Sequence, residues 1–497
     1  MALLALAVLL AGCGGAGNNK DAGASAEPSA GTGSSAAAEN PQPKDKVKIT
    51  MWVKSTPEEQ ALFKQEAEQF AQTKPGIEVE IVPFGTDQFL SALQAAIASN
   101  DLPDIMQLTS QIPLTHLKKL DIVQPIPFAK ELTERYEEGT WIEGRTLIDG
   151  QPYVWPNRSF RTAASIMFYN KQVMREMGLD PDKPPATWDE LTAQAKLVTD
   201  QGKGEVYGIS TGLKQDWFVE QLVMQMATTV DGKGVQSIGD YARIIDWKEG
   251  TLFQPQAVKT TIDAFKQWKN DKILDPNALI LTSAESAATF GEGKSAFHLN
   301  GQWQLAFFKS KYPDLDFGVS LLPSKSGIKA YYGTVGGSDT GFTVAKSSKN
   351  IEAVTEWLTY LSEVHYKNAL EHAIALSPIP EVNKSAEVNI APELKQLIEV
   401  SDTMFKLMPS PALRNPKQVE VVTNLKAKAP KQPLGPTLQS YLFDKGLDLD
   451  KYLNDFAAEQ QQFLQQSIEA VPGTSADEWK FEDWDIHSDY SLDRYPK

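Results

Sequence analysis

The chain has 497 residues, too many for one ordinary core and enough for two lobes with extensions. Its formal charge of −16 repels nucleic acid and anionic lipid headgroups, so neither is expected as a partner, and solubility is the simpler reading of that charge. The single cysteine, Cys13, excludes an internal disulfide and cysteine-rich metal sites, and the five histidines form no metal-binding pattern, so neither metal nor cofactor is expected.

Met1 to Leu10 are apolar but too few to span a bilayer as a helix. They run into Leu10-Ala11-Gly12-Cys13, small residues before a thiol that can carry a diacylglyceryl group. The four residues resemble the lipobox of bacterial lipoproteins, although the basic residues usual at the head of such a signal are missing before Leu3. The expectation is a signal peptide over 1–12, lipidation of Cys13, and a tether over 13–45 built from Gly, Ala, Ser, Asn and Pro. Such a segment buries too little apolar surface to offset its ordering entropy. The protein is therefore expected at the cell membrane, on its extracytoplasmic face, touching the bilayer through the lipid alone.

From Val47 the texture changes. Val47 to Val53 alternates as a strand, and Thr56-Pro57-Glu58-Glu59 predicts a helix start with Thr56 as N-cap, Pro57 in the first turn and Glu59 closing a capping box. Ile77, Val79 and Ile81 alternate in a second strand; Phe89, Leu93 and Ile97 mark a second helix; Leu102 to Met106 opens a third strand. This β-α-β-α-β order predicts a parallel sheet covered by helices. Further on, Ser165 to Tyr169 reads as a strand, and Thr187-Trp188-Asp189-Glu190 as a capping box before a helix that presents Leu191, Ala195 and Val198. Strands follow at Asp316 to Leu322 and Phe342 to Ala345, then a helix over 352–361. Residues 392–470 read as mainly helical, and 472–497 as an irregular tail rich in Asp and Trp. Ligands of open α/β sheets bind beyond the carboxyl ends of strands, which singles out Trp52, Lys54, Ser55, Thr109, Ser110 and Gln111.

These pieces, in this order, resemble the family 1 extracellular solute-binding proteins, the two-lobed receptors of ABC importers that include the maltose-binding protein. The matching text includes Ile49-Thr50-Met51-Trp52, Ala98 to Ile105, Met167 to Lys171, Pro185 to Leu191, Phe290 to Phe297, Asn300-Gly301-Gln302-Trp303, Gly336-Gly337-Ser338, Ser347 to Asn350 and Met408-Pro409. The resemblance implies an α/β fold of two lobes, each a mixed sheet flanked by helices, with ligand in the cleft between them. It places lobe 1 at 46–160 and 323–376, and lobe 2 at 161–322 and 377–470, with an acidic, aromatic extension over 471–497 packed on lobe 2. It also implies a monomer that captures a carbohydrate, most simply an oligosaccharide, and passes it to the permease subunits of an ABC transporter without catalysis.

Within that frame Trp303 is the leading candidate for a stacking platform, because aromatic faces pack on the apolar faces of sugar rings. Asn300 shapes the same turn or adds a hydrogen bond. At Trp52 ligand contact and core packing are equally open; Trp217 and Tyr332 are aromatic candidates for which packing weighs at least as much. Gly336 and Gly337 let backbone approach a ligand. Arg158 and Arg161 stand near the lobe crossing, and Arg414 follows Met408-Pro409. Guanidinium forks pair with carboxylates, so any of the three facing the cleft points to an acidic sugar; a surface ion pair is the competing role. Two other classes stay open: a secreted carbohydrate-active enzyme, needing a pair of carboxylates among the 64 Asp and Glu, and a binding protein for a non-sugar ligand that feeds a sensor.

Overall fold

The computed structural model describes residues 46–109, 111–162, 164–237, 243–338 and 340–495. Cys13, the signal peptide, the tether and Ser110 lie outside the described residues.

The first lobe is built on the alternation at its start. Val47–Lys54 turns Ile49, Met51 and Val53 into the main core. It pairs in parallel with Ile77–Phe84 on one side and Ile105–Gln107 on the other. Phe342–Ala345 joins antiparallel to Ile105–Gln107, and Val123–Gln124 closes the sheet, with Val154–Trp155 also paired to Phe342–Ala345. Helices Pro57–Thr73, Thr86–Ser99 and Ile351–Glu371 belong to this lobe.

Pro57–Thr73 begins as its sequence predicts, with Thr56 Oγ1 accepting from the Glu59 N–H at 3.4 Å. The second half of the capping box is not made. Glu59 is 1% exposed, and its carboxylate instead accepts from Asn157 Nδ2 at 3.1 Å, the Arg158 guanidinium and the Ser55 hydroxyl. A buried carboxylate costs too much unpaired to be left for an N-terminal N–H alone.

The second lobe carries a four-stranded sheet in the order Phe317–Ser320, Ser165–Asn170, Ser295–Gly301, Tyr207–Ser210. Every residue of the two central strands is buried, as expected of a sheet covered on both faces. Its helices include Trp188–Gly202, entered through the reciprocal capping box of Thr187 and Glu190, and Asp216–Asp231.

A small third sheet runs in the order Ile244–Ile245, Val235–Ser237, Tyr332–Thr334, Phe405–Leu407, its strands of two or three residues too short to show an alternation in the sequence. Residues 392–470 are mainly helical, with loops between the helices and one strand, Phe405–Leu407, whose three residues are too few to show a period of two. One apolar cluster runs from Ile49, Phe63 and Trp357 through Trp155 and Ile166 to Phe168, Phe290 and Phe308, so the two main sheets share a core. Another gathers Trp247, Val421, Leu425 and Leu464 around Trp479, Phe481, Trp484 and Tyr490 of the C-terminal segment. That segment is thus built into the fold by its aromatic residues.

Candidate ligand-binding cleft

A cavity of about 520 Å³ opens between the two lobes. One wall comes from the first lobe. Leu108 and Gln111 follow the Ile105–Gln107 strand, His116 lies on the Leu114–Lys119 helix, and Glu143 and Arg145 lie on the 142–145 turn. The facing wall is the Gln418–Lys426 helix with Val422, Leu425 and Lys426, joined by Arg243 beside the third sheet. Val335 and Ser338, on the segment that returns from the second lobe to the first, close the back. The volume is that of an ordinary small-molecule site. It sits beyond the carboxyl end of a first-lobe strand, where an open α/β sheet leaves backbone groups facing solvent.

Gly336 and Gly337 hold this back wall. Both have positive φ, at 80° and 67°. A Cβ on Gly336 would lie 2.3 Å from the Gly139 carbonyl oxygen, and one on Gly337 would lie 3.0 Å from Arg145 Cβ. Their backbones therefore lie against the first lobe, with the Gly337 N–H donating to Gly139 O at 2.6 Å.

Trp303 and Trp217 come together at the edge of the second lobe, ring centroids 5.9 Å apart. Trp303 follows the Ser295–Gly301 strand, and a Cβ on Gly301 would fall 2.0 Å from its indole, so glycine is what allows the ring to lie there. Trp217 opens the Asp216–Asp231 helix and is 50% exposed, an unusual position for so large an apolar side chain. One helical turn further on, Glu220 interacts with Arg243 of the cavity wall. Burial raises the Glu220 carboxyl, opposed by the Arg243 charge. Arg243 Nε donates to Gln460 Oε1 at 2.7 Å, which fixes the guanidinium plane.

The remaining sequence candidates have other surroundings. Asn300 is fully buried, and its amide bonds Ser283, Ser286, His298 and the Gly301 N–H. Burial pushes the His298 imidazole down to about 3, so a neutral ring links Asn300 to Ser210 at 2.8 Å. This network supports the strand end that carries Trp303. Trp52 packs on Phe84 at 4.8 Å, within the cluster of Phe89 and Met106. The Lys54 N–H donates to Gln107 Oε1 at 2.6 Å, and Thr109 Oγ1 accepts from the Ile112 N–H at 3.0 Å. Tyr332 is 1% exposed inside the third sheet, 5.7 Å from Phe405.

The three arginines chosen from sequence are not among the residues lining the cavity. Arg158 pairs with buried Glu59. Arg161 pairs with Glu137 at 3.4 Å and Asp489 at 2.9 Å, and donates to Phe405 O at 3.0 Å. Arg414 lies over the Phe481 ring at 3.7 Å and donates to Lys480 O at 2.9 Å. The cationic side chains that do line the cavity, Arg145, Arg243 and Lys426, carry no motif and come from distant parts of the chain, so only the fold brings them together. Among the described residues no cluster of His, Cys, Asp and Glu could hold a metal ion, and no helix is long and apolar enough to cross a membrane.

Two α/β lobes joined by crossing segments, with a cavity between them, define a receptor-type architecture. The family model described as bacterial extracellular solute-binding protein matches residues 54–364, and the chain belongs to that family. The chain is 23% identical over 371 residues to an uncharacterised ABC transporter extracellular-binding protein of Pyrococcus horikoshii, covering 73% of this chain and 78% of that protein. It is 23% identical over 307 residues to an sn-glycerol-3-phosphate-binding periplasmic protein of Yersinia pestis, covering 59% of this chain and 65% of that one. Among solved structures, the maltotriose-bound maltose/maltodextrin-binding domain of Bdellovibrio bacteriovorus superposes with a TM-score of 0.61 at 19% identity, covering 85% of this chain and all of that one. A maltose-bound protein of T. maritima gives a TM-score of 0.63 at 19% identity, covering 84% and 99%. A receptor of Streptomyces glaucescens, solved unliganded and in complex with acarbose, gives 0.63 at 18%, covering 85% and 99%. These likenesses show the fold: a two-lobed binding-protein architecture with sheets flanked by helices.

Proposed function

We propose that this solute-binding protein captures an oligosaccharide between its lobes and hands it, chemically unchanged, to the permease subunits of an ABC importer. The observation that carries the reading is the cavity bounded by first-lobe residues and the Gln418–Lys426 helix; on the second lobe the half-exposed Trp217 lies beside the partly buried Trp303. A ligand that bridges two walls shifts the lobes toward the closed form by its differential affinity for that form. Structural neighbours crystallised with maltotriose, maltose and acarbose support a carbohydrate. A binding role fits the lining, where Glu143 is the sole carboxylate among the described residues and general acid–base glycoside cleavage needs two. The protein acts as a monomer held at the outer membrane face by a lipid on Cys13, a reading that rests on the sequence around that residue.

Thermal-shift screening against mono- and oligosaccharides tests the ligand class, because a ligand at 100 times its Kd adds about 2.7 kcal/mol of stability. Trp303→Ala is expected to abolish the shift, and an unchanged shift would remove Trp303 from the site. Cys13→Ala is expected to release the protein from membranes; continued retention would contradict the anchor.

A further inference from the structure

The C-terminal segment lies over the places where the chain passes between its two main sheets. The chain leaves the first sheet after Val154–Trp155 and enters the second at Ser165–Asn170; it returns between Phe317–Ser320 and Phe342–Ala345. Arg161 stands on the outward crossing and Tyr331 on the return. The tail touches both. Asp489 pairs with Arg161 at 2.9 Å, and His487 Nδ1 lies 2.9 Å from the Tyr331 hydroxyl. The tail also covers the third sheet at its edge strand, Phe405–Leu407. Asp489 Oδ1 accepts from the Leu407 N–H at 2.7 Å, and the Tyr490 N–H donates to Leu407 O at 2.7 Å. Just beyond that strand the Ser410 N–H donates to the Tyr495 hydroxyl at 2.7 Å. The Leu492 N–H reaches Glu138 Oε1, on a first-lobe turn, at 3.4 Å. Arg161 ties the same parts together from its own side, with Glu137 at 3.4 Å and Phe405 O at 3.0 Å. Its side chain is 19% exposed, so its charge is screened less than a surface pair would be. Upstream the segment has a separate anchor: Glu478 accepts from Asn415 Nδ2 at 2.7 Å and from Gln418 Nε2 at 2.5 Å.

We infer that residues 485–495 form a strap that braces the lobe hinge, holding Arg161, Tyr331 and the edge of the third sheet together and so limiting how far the lobes turn about their crossings. Turning one lobe against the other moves the two crossings and the Glu138 turn relative to each other. One short stretch of chain keeps all its contacts to them over a narrow range of angles, so the strap favours that range over others. Fewer accessible angles also leave less freedom for a ligand to remove on binding. The inference goes beyond the receptor reading and does not depend on what the cleft binds.

Double electron–electron resonance on the full chain, with no ligand added, tests this. Cys13→Ala clears the background, and spin labels on Lys119→Cys and Gln201→Cys report the distance between an exposed position of the Leu114–Lys119 helix and one of the Trp188–Gly202 helix. Asp489→Ala releases both Arg161 and the Leu407 N–H, and the 41% exposure of Asp489 makes it a substitution the fold tolerates. It is expected to raise the population of distances outside the main peak roughly fivefold, the shift that loss of one partly shielded ion pair allows. Tyr495→Phe removes a single hydroxyl and is expected to give a smaller shift in the same sense. Glu478→Ala loosens the upstream anchor alone; it is expected to lower the melting temperature and leave the distance distribution as it was. Unchanged distributions in both Asp489→Ala and Tyr495→Phe would overturn the inference. So would a Glu478→Ala chain as broadened as Asp489→Ala, which would make the segment a general stabiliser and not a brace on the hinge.

Discussion

Glu137 is expected to contribute stability that falls as pH rises. Its side chain is 14% exposed and lies beside Arg161 and Ser159, whose hydroxyl donates to it at 2.5 Å, with the negative charge of Asp402 acting on it. Burial pushes the carboxyl up to about 7 from an ordinary 4.5, and the Ser159 and Arg161 contacts only partly oppose that rise. In the unfolded chain the group ionises near its ordinary value, so between these limits the folded state holds the extra proton. The associated stability is fully present below pH 4.5 and is lost as pH rises through about 7. At about 1.4 kcal/mol per pH unit the full span is worth roughly 3 kcal/mol. Glu137→Gln removes the titration and keeps the shape. Urea unfolding of both proteins from pH 4.5 to 8 is expected to show the native chain losing about 2 to 3 kcal/mol relative to the variant, most of it between pH 5 and 7.5. A flat difference would refute the reasoning. So would a native chain that gains on the variant as pH rises, which would mean that Arg161 outweighs burial.

Three further substitutions test the packing. Gly336→Ala forces a side chain to φ 80° and to 2.3 Å from the Gly139 carbonyl; the left-handed conformation alone costs roughly 1–2 kcal/mol, so denaturant unfolding is expected to show at least that loss. Glu59→Ala leaves Arg158 without its carboxylate. Breaking a buried pair costs about 3–5 kcal/mol, and the 24% exposure of Arg158 lowers the expectation to roughly 2–3 kcal/mol by the same measurement. Phe481→Ala empties the ring site under Arg414 and beside Trp247, with an expected loss of about 3–5 kcal/mol; a loss under 1 kcal/mol would mean that the C-terminal segment is not part of the core.

What the sequence revealed was local. The alternation of Val47–Lys54 and Ile77–Phe84, and the Thr187–Glu190 capping box, are written in consecutive residues, and each has its counterpart in the structure. What it hid was non-local. Phe405–Leu407 is three residues long, and it is a strand because Tyr332–Thr334 lies beside it. The wall of the cleft follows the same logic. Arg158 and Arg161 draw the eye because they adjoin a lobe crossing, yet Glu59, Glu137 and Asp489 occupy them from distant positions. Trp303 is legible through the family resemblance of Asn300-Gly301-Gln302-Trp303 and its aromatic face, and the structure sets Asn300 and Gly301 against it as support. Arg145 and Arg243 sit in turns with no periodicity and no motif, so their convergence is a property of the tertiary fold.

The central claim is that a solute enters the cleft and leaves it unaltered. Calorimetric titration with oligosaccharides, followed by chromatography of the recovered ligand, tests it in one experiment. The account predicts saturable binding at one site per chain, accompanied by a negative heat-capacity change as apolar surface is buried, and full recovery of intact ligand. Shortened oligosaccharides in the recovered material would contradict it and make the protein an enzyme.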